Sequence, residues 1–265
     1  MKQFYKIQRC FCLNFFLLFI AIFTVKQANA ANKYYYQIKI YHLKTQAQED
    51  RLDQYLKNAY LPAMHRLGIE NVGVFKPVEG DTLGRRVYVL TPFRTWDQLE
   101  NVGQKLIGDI QYLADGEDYI NAEYNNEPYA RFETIVLRAF PKMLQPAVPN
   151  LTGTKTDRVY ELRSYESPTE KFNANKVHMF NDGGEVELFK RLNFNAVFYA
   201  EVIVGSHMPN LMYMTTFNDR ADRDKHWANF GNDPEWKTLV AKPEYQHNVS
   251  KADIIFLHPT AYSDF

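Results

Sequence analysis

The sequence predicts an α+β protein made of two consecutive copies of one β-α-β-β-α-β unit, and three observations carry that expectation. An internal repeat joins the two halves at an offset of 124 or 125 residues. Each copy opens with an alternating, aromatic-rich segment of strand character, and each then switches to helical spacing of its apolar residues. The repeat is residue by residue. Tyr36-Gln37-Ile38-Lys39-Ile40-Tyr41 aligns with Tyr160-Glu161-Leu162-Arg163-Ser164-Tyr165 at 124, Arg66-Leu67 with Arg191-Leu192 at 125, and Leu90-Thr91-Pro92-Phe93 with Met214-Thr215-Thr216-Phe217 at 124 again. A register that gains one residue in a helix and loses it in a turn is the mark of two diverged copies.

In the first copy, 34–43 alternates as a strand should. Leu52, Tyr55, Leu56, Ala59, Ala63, Met64 and Leu67 then recur at three and four residues, which predicts a helix with one broad apolar face, kinked by Pro62. Strands follow at 69–79 and 86–93, joined through the turn-forming Glu79-Gly80-Asp81. A helix capped by Thr95 runs to about residue 113, and 131–140 is the last strand. The second copy repeats the order, with strands at 159–165, 194–204, 211–217 and 252–257 and helices near 169–192 and 219–239. Gly183-Gly184 should break the first helix. Asp233-Pro234-Glu235, an N-cap followed by proline at the first helical position, should divide the second. This is the ferredoxin-like order, in which helices cover one face of an antiparallel sheet and the other face must pack or bind.

The 265 residues hold 31 basic and 31 acidic side chains, but Lys2, Lys6, Arg9 and Lys26 stand in the first thirty, which contain no acid. Beyond them the net charge is −4, which argues against nonspecific nucleic-acid binding. The same thirty residues read as a secretory signal peptide. A basic start precedes an apolar stretch centred on Phe15–Phe23, and Ala28-Asn29-Ala30 supplies the small residues of a cleavage site. A retained membrane anchor is the alternative, and the short apolar run counts against it. Both cysteines, Cys10 and Cys12, fall in this leader, so the mature chain has neither thiol nucleophile nor disulfide, as suits a secreted or periplasmic protein. The expected organisation is a leader at 1–30, a ferredoxin-like domain at 31–141, a linker at 142–157 and a second such domain at 158–265.

The strand 160–165, together with Phe217 through Arg220, His226-Trp227 and Asp233-Pro234-Glu235-Trp236-Lys237, resembles the signatures of the NIPSNAP family. The resemblance is strongest over 158–240. The first copy is looser, lacking Asp-Pro-Glu-Trp and carrying Trp96 near the start of its second helix instead. What the resemblance implies is a dimeric α/β-barrel, in which two ferredoxin-like antiparallel sheets face each other, here within one chain. It implies no catalytic residues. Relatives of the barrel architecture include haem-dependent enzymes and cofactor-independent monooxygenases, and by that likeness a helical histidine such as His226 or His178 becomes a candidate axial ligand.

No Gly-x-Gly-x-x-Gly, Walker A, Gly-x-Ser-x-Gly or His-Glu-x-x-His motif is present in the mature chain, which removes the main support for dinucleotide, nucleoside-triphosphate, esterase and zincin chemistry. The histidines show no helical ligand spacing, so neither a metal nor another cofactor is expected. The candidate ligand-binding residues come from the repeated strand. Alternation puts Tyr36, Ile38 and Ile40, with Tyr160 and Leu162, on one face, expected to meet the helices. Gln37, Lys39, Tyr41, Glu161, Arg163 and Tyr165 lie on the other face and are expected to line the barrel lumen, as a polar pocket or as a buried network. The functional expectation is an exported, non-catalytic small-molecule-binding or assembly module. The alternative is an oxidoreductase or isomerase acting on a small organic substrate. A small organic ligand and a second copy of the chain are its expected partners, with no nucleic acid and no stable membrane anchor after cleavage. Intact-mass analysis of protein from its native compartment should find a chain starting at Ala31; retention of Met1–Ala30 would contradict the leader.

Overall fold

The computed structural model describes residues 33–78 and 84–265; the leader, its cysteines and the expected Glu79-Gly80-Asp81 turn lie outside them. The first repeat runs β1 (Tyr35–His42), α1 (Gln46–Tyr55), a π-turn (Leu56–Tyr60), α2 (Leu61–Arg66), β2 (Gly73–Pro77), β3 (Arg86–Phe93), α3 (Trp96–Ile107), α4 (Ile110–Asp115), α5 (Glu117–Ile120) and β4 (Arg131–Ala139). The second runs β5 (Val159–Glu166), α6 (Glu170–Asn181), α7 (Glu185–Arg191), β6 (Phe198–Val204), β7 (Asn210–Phe217), α8 (Arg220–Asn232), α9 (Pro234–Val240) and β8 (Lys251–Pro259). The effect of Pro62 falls just before it. Proline has no N–H for the helical ladder, and the helix widens into the π-turn at Leu56–Tyr60 immediately upstream. Asp233 caps α9 as expected, its Oδ1 accepting from the N–H groups of Glu235 and Trp236.

The strands close into one antiparallel barrel in the order β1-β3-β2-β8-β5-β7-β6-β4. The two sheets therefore meet edge to edge at β2–β8 and β4–β6, and both halves of the barrel come from one chain. Each strand opposes its neighbour, so β1 and β5 run in the same direction and Tyr36 and Tyr160 sit at the same end.

The lumen is a packed core. Tyr36, Ile38, Ile40, Phe75, Tyr88, Leu90, Leu137, Tyr160, Leu162, Phe198, Met214 and Leu257 meet there, side chains from both repeats and none from a helix. This reverses the expected orientation of the repeated strand: the apolar face looks inward, and the face of Gln37, Lys39, Tyr41, Glu161, Arg163 and Tyr165 looks out toward the helices. Alternation states which residues share a face, not where that face points. Inside a closed barrel no helix can supply counter-charges, so the apolar set goes in.

The linker and the C-terminus close the Tyr36–Tyr160 end. Leu151 joins the lumen core, and Phe265 packs on Phe75 and Tyr160 at ring-centroid distances of 5.9 and 6.3 Å. Asp264 holds that tail in place, its Oδ2 accepting from the Val72 N–H at 2.7 Å. Gly73 makes room for the plug, because a Cβ there would stand 2.3 Å from the Phe75 ring and 3.1 Å from Phe265. Phe265→Ala should cost about 3–5 kcal/mol in chemical denaturation. Tyr36→Phe should be neutral or stabilising by about 1 kcal/mol, because it removes a fully buried hydroxyl with no partner among the described residues.

Candidate functional site

Between the outer sheet face and the helices of the second repeat lies a buried network of charges. Glu161, fully buried on β5, accepts from Arg163 Nε (2.6 Å), Arg223 Nε (2.8 Å), Arg223 Nη2 (2.9 Å) and Trp227 Nε1 (2.8 Å). Arg163, two residues along the same strand face, lays its guanidinium 3.6 Å from the Trp227 ring centroid and donates to the Tyr165 hydroxyl at 2.9 Å, which in turn meets Tyr213 at 2.8 Å. Arg223 and Trp227 are one turn apart on α8, so a single helix face delivers both the second cation and the ring. Burial alone would raise the Glu161 carboxyl, but Arg223 and Arg163 reverse this and hold it below the usual glutamate range. A carboxylate so saturated is a poor general base.

A second buried pair flanks this network. Lys176 of α6 donates to Glu185 of α7 at 2.9 Å and lies 4.8 Å from the Phe180 ring centroid. Burial pushes the Glu185 carboxyl up, against the pull of Lys176. Of the six candidate residues, the structure links Glu161, Arg163 and Tyr165, and it places Gln37, Lys39 and Tyr41 under the other helix layer, where Tyr41 packs with Tyr55, Tyr60 and Tyr112. They form two separate sets, not one lumen pocket. Arg223, Lys176 and Glu185 were not legible as partners. For Arg223 a signal existed, since Arg223 and Trp227 at i and i+4 are amphipathic side chains on one helix face.

The two candidate axial histidines differ in their surroundings. His226 holds Nδ1 2.8 Å from its own helix carbonyl at Asp222, with its ring against Phe194 and Phe217. His178 meets the Tyr245 hydroxyl at 3.0 Å. Each ring thus has Nδ1 engaged within the chain, His226 against aromatic rings and His178 at the surface with its side chain 56% exposed. The Asp-Pro-Glu-Trp segment is likewise structural: besides capping α9, Asp233 and Glu235 both accept from Arg191, beside a surface cleft of about 680 Å³ between α7 and α9.

The NIPSNAP family model matches residues 160–264, the segment that holds the whole network. The second repeat is a NIPSNAP domain. The network of Glu161, Arg163, Arg223 and Trp227 thus lies within the NIPSNAP half. No curated protein matches the chain. Among solved structures, a Lactobacillus acidophilus NCFM protein provisionally named a monooxygenase is 13% identical with a TM-score of 0.53, over 86% of this chain and 94% of that one. An anthrone oxidase-like protein is 9% identical with a TM-score of 0.50, over 86% and 92%. A NIPSNAP-like domain protein of Burkholderia xenovorans is 19% identical over 40% of this chain and 89% of its own, with a TM-score of 0.37. At these identities the two longer likenesses establish the dimeric α/β-barrel fold and nothing more.

Arg163→Ala should destabilise the protein by about 3–5 kcal/mol, because it leaves buried Glu161 short of one counter-charge. Since the folded-state pKa of Glu161 is depressed, its contribution is present above the ordinary glutamate pKa of about 4.3 and is lost as pH falls through the lower folded value. Urea melts of wild type and Glu161→Gln should therefore differ at pH 7 and converge in strong acid.

Proposed function

We propose that the chain is an exported, non-catalytic protein of NIPSNAP type, a small-molecule-binding or assembly module whose barrel serves as scaffold. The observation that carries this reading is the mutual neutralisation of the buried charges in the NIPSNAP half. Glu161 is saturated by two guanidiniums and an indole, and Glu185 is closed off by Lys176. An enzyme needs an acid, base or nucleophile that can reach a substrate. The lumen, where such a substrate was expected, is filled by side chains that include Tyr36, Phe75 and Tyr160. Export rests on the order of charge, apolar run and small residues in Met1–Ala30.

The oxidoreductase reading draws on the names of structurally similar proteins and on the raised Glu185 carboxyl, which could donate a proton if exposed. Its burial beneath Lys176 favours the non-catalytic reading. Incubated in air with anthrone, the protein should consume no oxygen above the buffer rate, and added haem should keep its free-haem Soret band. Saturable oxygen uptake would overturn the proposal.

A further inference from the structure

The two repeats share a register, and comparing them position by position exposes a carboxylate and an indole that only one of them supplies. Matching capping boxes start the second long helix of each. Thr95 Oγ1 accepts from the Gln98 N–H while Gln98 Oε1 accepts from the Arg94 N–H; Asp219 Oδ1 accepts from the Asp222 N–H while Asp222 Oδ2 accepts from the Asn218 N–H. The offset of 124 then pairs Leu99 with Arg223, Gly103 with Trp227 and Leu106 with Phe230 on the helices. On the strands it pairs Gln37 with Glu161 and Lys39 with Arg163.

The second repeat thus brings a cation, a carboxylate and an indole together. The first keeps the cation and lacks the other two. Lys39 is half-buried, its ammonium 5.8 and 5.7 Å from the ring centroids of Tyr60 and Phe132, with no acceptor or carboxylate in hydrogen-bond reach among the described residues. Gln37 is half-buried where Glu161 is fully buried, and its side-chain amide makes no hydrogen bond among the described residues. Where Trp227 covers Arg163, Gly103 stands exposed, and a Cβ built on it would meet nothing within 4 Å. A glycine in the middle of an exposed helix costs about 1 kcal/mol relative to alanine, so that open flank is held at some expense.

We infer that the first repeat binds a small aromatic carboxylate, its anionic group on Lys39 beside the Gln37 amide and its ring on the α3 flank left open by Gly103. The ligand supplies from outside the carboxylate and ring that Glu161 and Trp227 supply from within. Aromatic contacts from Tyr60 and Phe132 suit it, as both rings already lie within about 6 Å of the cation. Burial without a counter-ion disfavours the charged form of Lys39, and a carboxylate partner removes that penalty. This site rests on the small-molecule-binding reading above and gives it a place and a ligand class.

Indole-3-acetate carries both missing groups and is the probe. Titrated calorimetrically into the full chain, it should bind saturably, with indole, which lacks the carboxylate, at least about tenfold weaker. Lys39→Met should weaken indole-3-acetate at least about tenfold by removing one charge-assisted hydrogen bond. Gly103→Trp should weaken it comparably by covering the open flank, without lowering the melting temperature. Failure of wild type to bind, equal affinity for indole, or unchanged affinity in both variants would overturn the site. Binding that ignores both variants would still leave the module reading standing, whereas oxygen uptake would remove that reading whatever happens at Lys39.

Discussion

A sheet that closes into a barrel has no free face, and this constraint governs the rest of the molecule. The inner face meets other strands, the linker and the C-terminal plug, and no helix that could neutralise a charge, so it is mainly apolar. The mid-strand charges Lys39, Lys76, Glu161 and Arg163 stand on the outer face, beneath the helices. There they are wholly or partly buried, and helices bring partners to most of them. Arg223 and Trp227 on α8 do this for Glu161 and Arg163, and Lys176 on α6 does it for Glu185 on α7.

The two repeats meet that requirement with different chemistry. The NIPSNAP half uses charges in pairs. The first half has one such cluster, Lys76 of β2 donating to Glu49 and Asp53 of α1, and adds neutral hydroxyls: Tyr55 and Tyr112 pair at 2.8 Å, Tyr119 stacks on Tyr55 at 3.7 Å and donates to Tyr41, and Tyr60 meets Thr91 at 3.2 Å. Burial pushes the Tyr60 hydroxyl up to about 12, so it stays protonated and costs no counter-ion. The π-turn at Leu56–Tyr60 brings Tyr60 into this layer. Lys39 of the first repeat is left without a hydrogen-bond partner among the described residues, and its neighbours are rings, not carboxylates.

Much of the fold was legible because it is written in periodicity: the repeat, the element order, the Gly183-Gly184 break and the Asp233 cap all correspond to local rules. Orientation was not legible. Tyr36, Ile38 and Ile40 were correctly grouped, but a period of two carries no information on which side the helices lie. Nor was the plug, since Phe265 and Leu151 lie in irregular segments whose burial depends on a barrel end formed by distant strands. Glu161 and Arg163 could be read as mutual partners from their spacing of two. Their helix partners required the packing of α8 onto β5, a contact 62 residues away in sequence for Arg223.

The most direct test of the claim that strand charges are held by helix-borne partners is a double-mutant cycle on Glu161→Gln and Arg223→Leu, read by equilibrium urea unfolding. The account predicts that the two changes couple by about 1 kcal/mol or more, because each removes the same buried interaction. Additivity within about 0.5 kcal/mol would contradict it, and would mean that the sheet and its helices are held together by apolar packing alone.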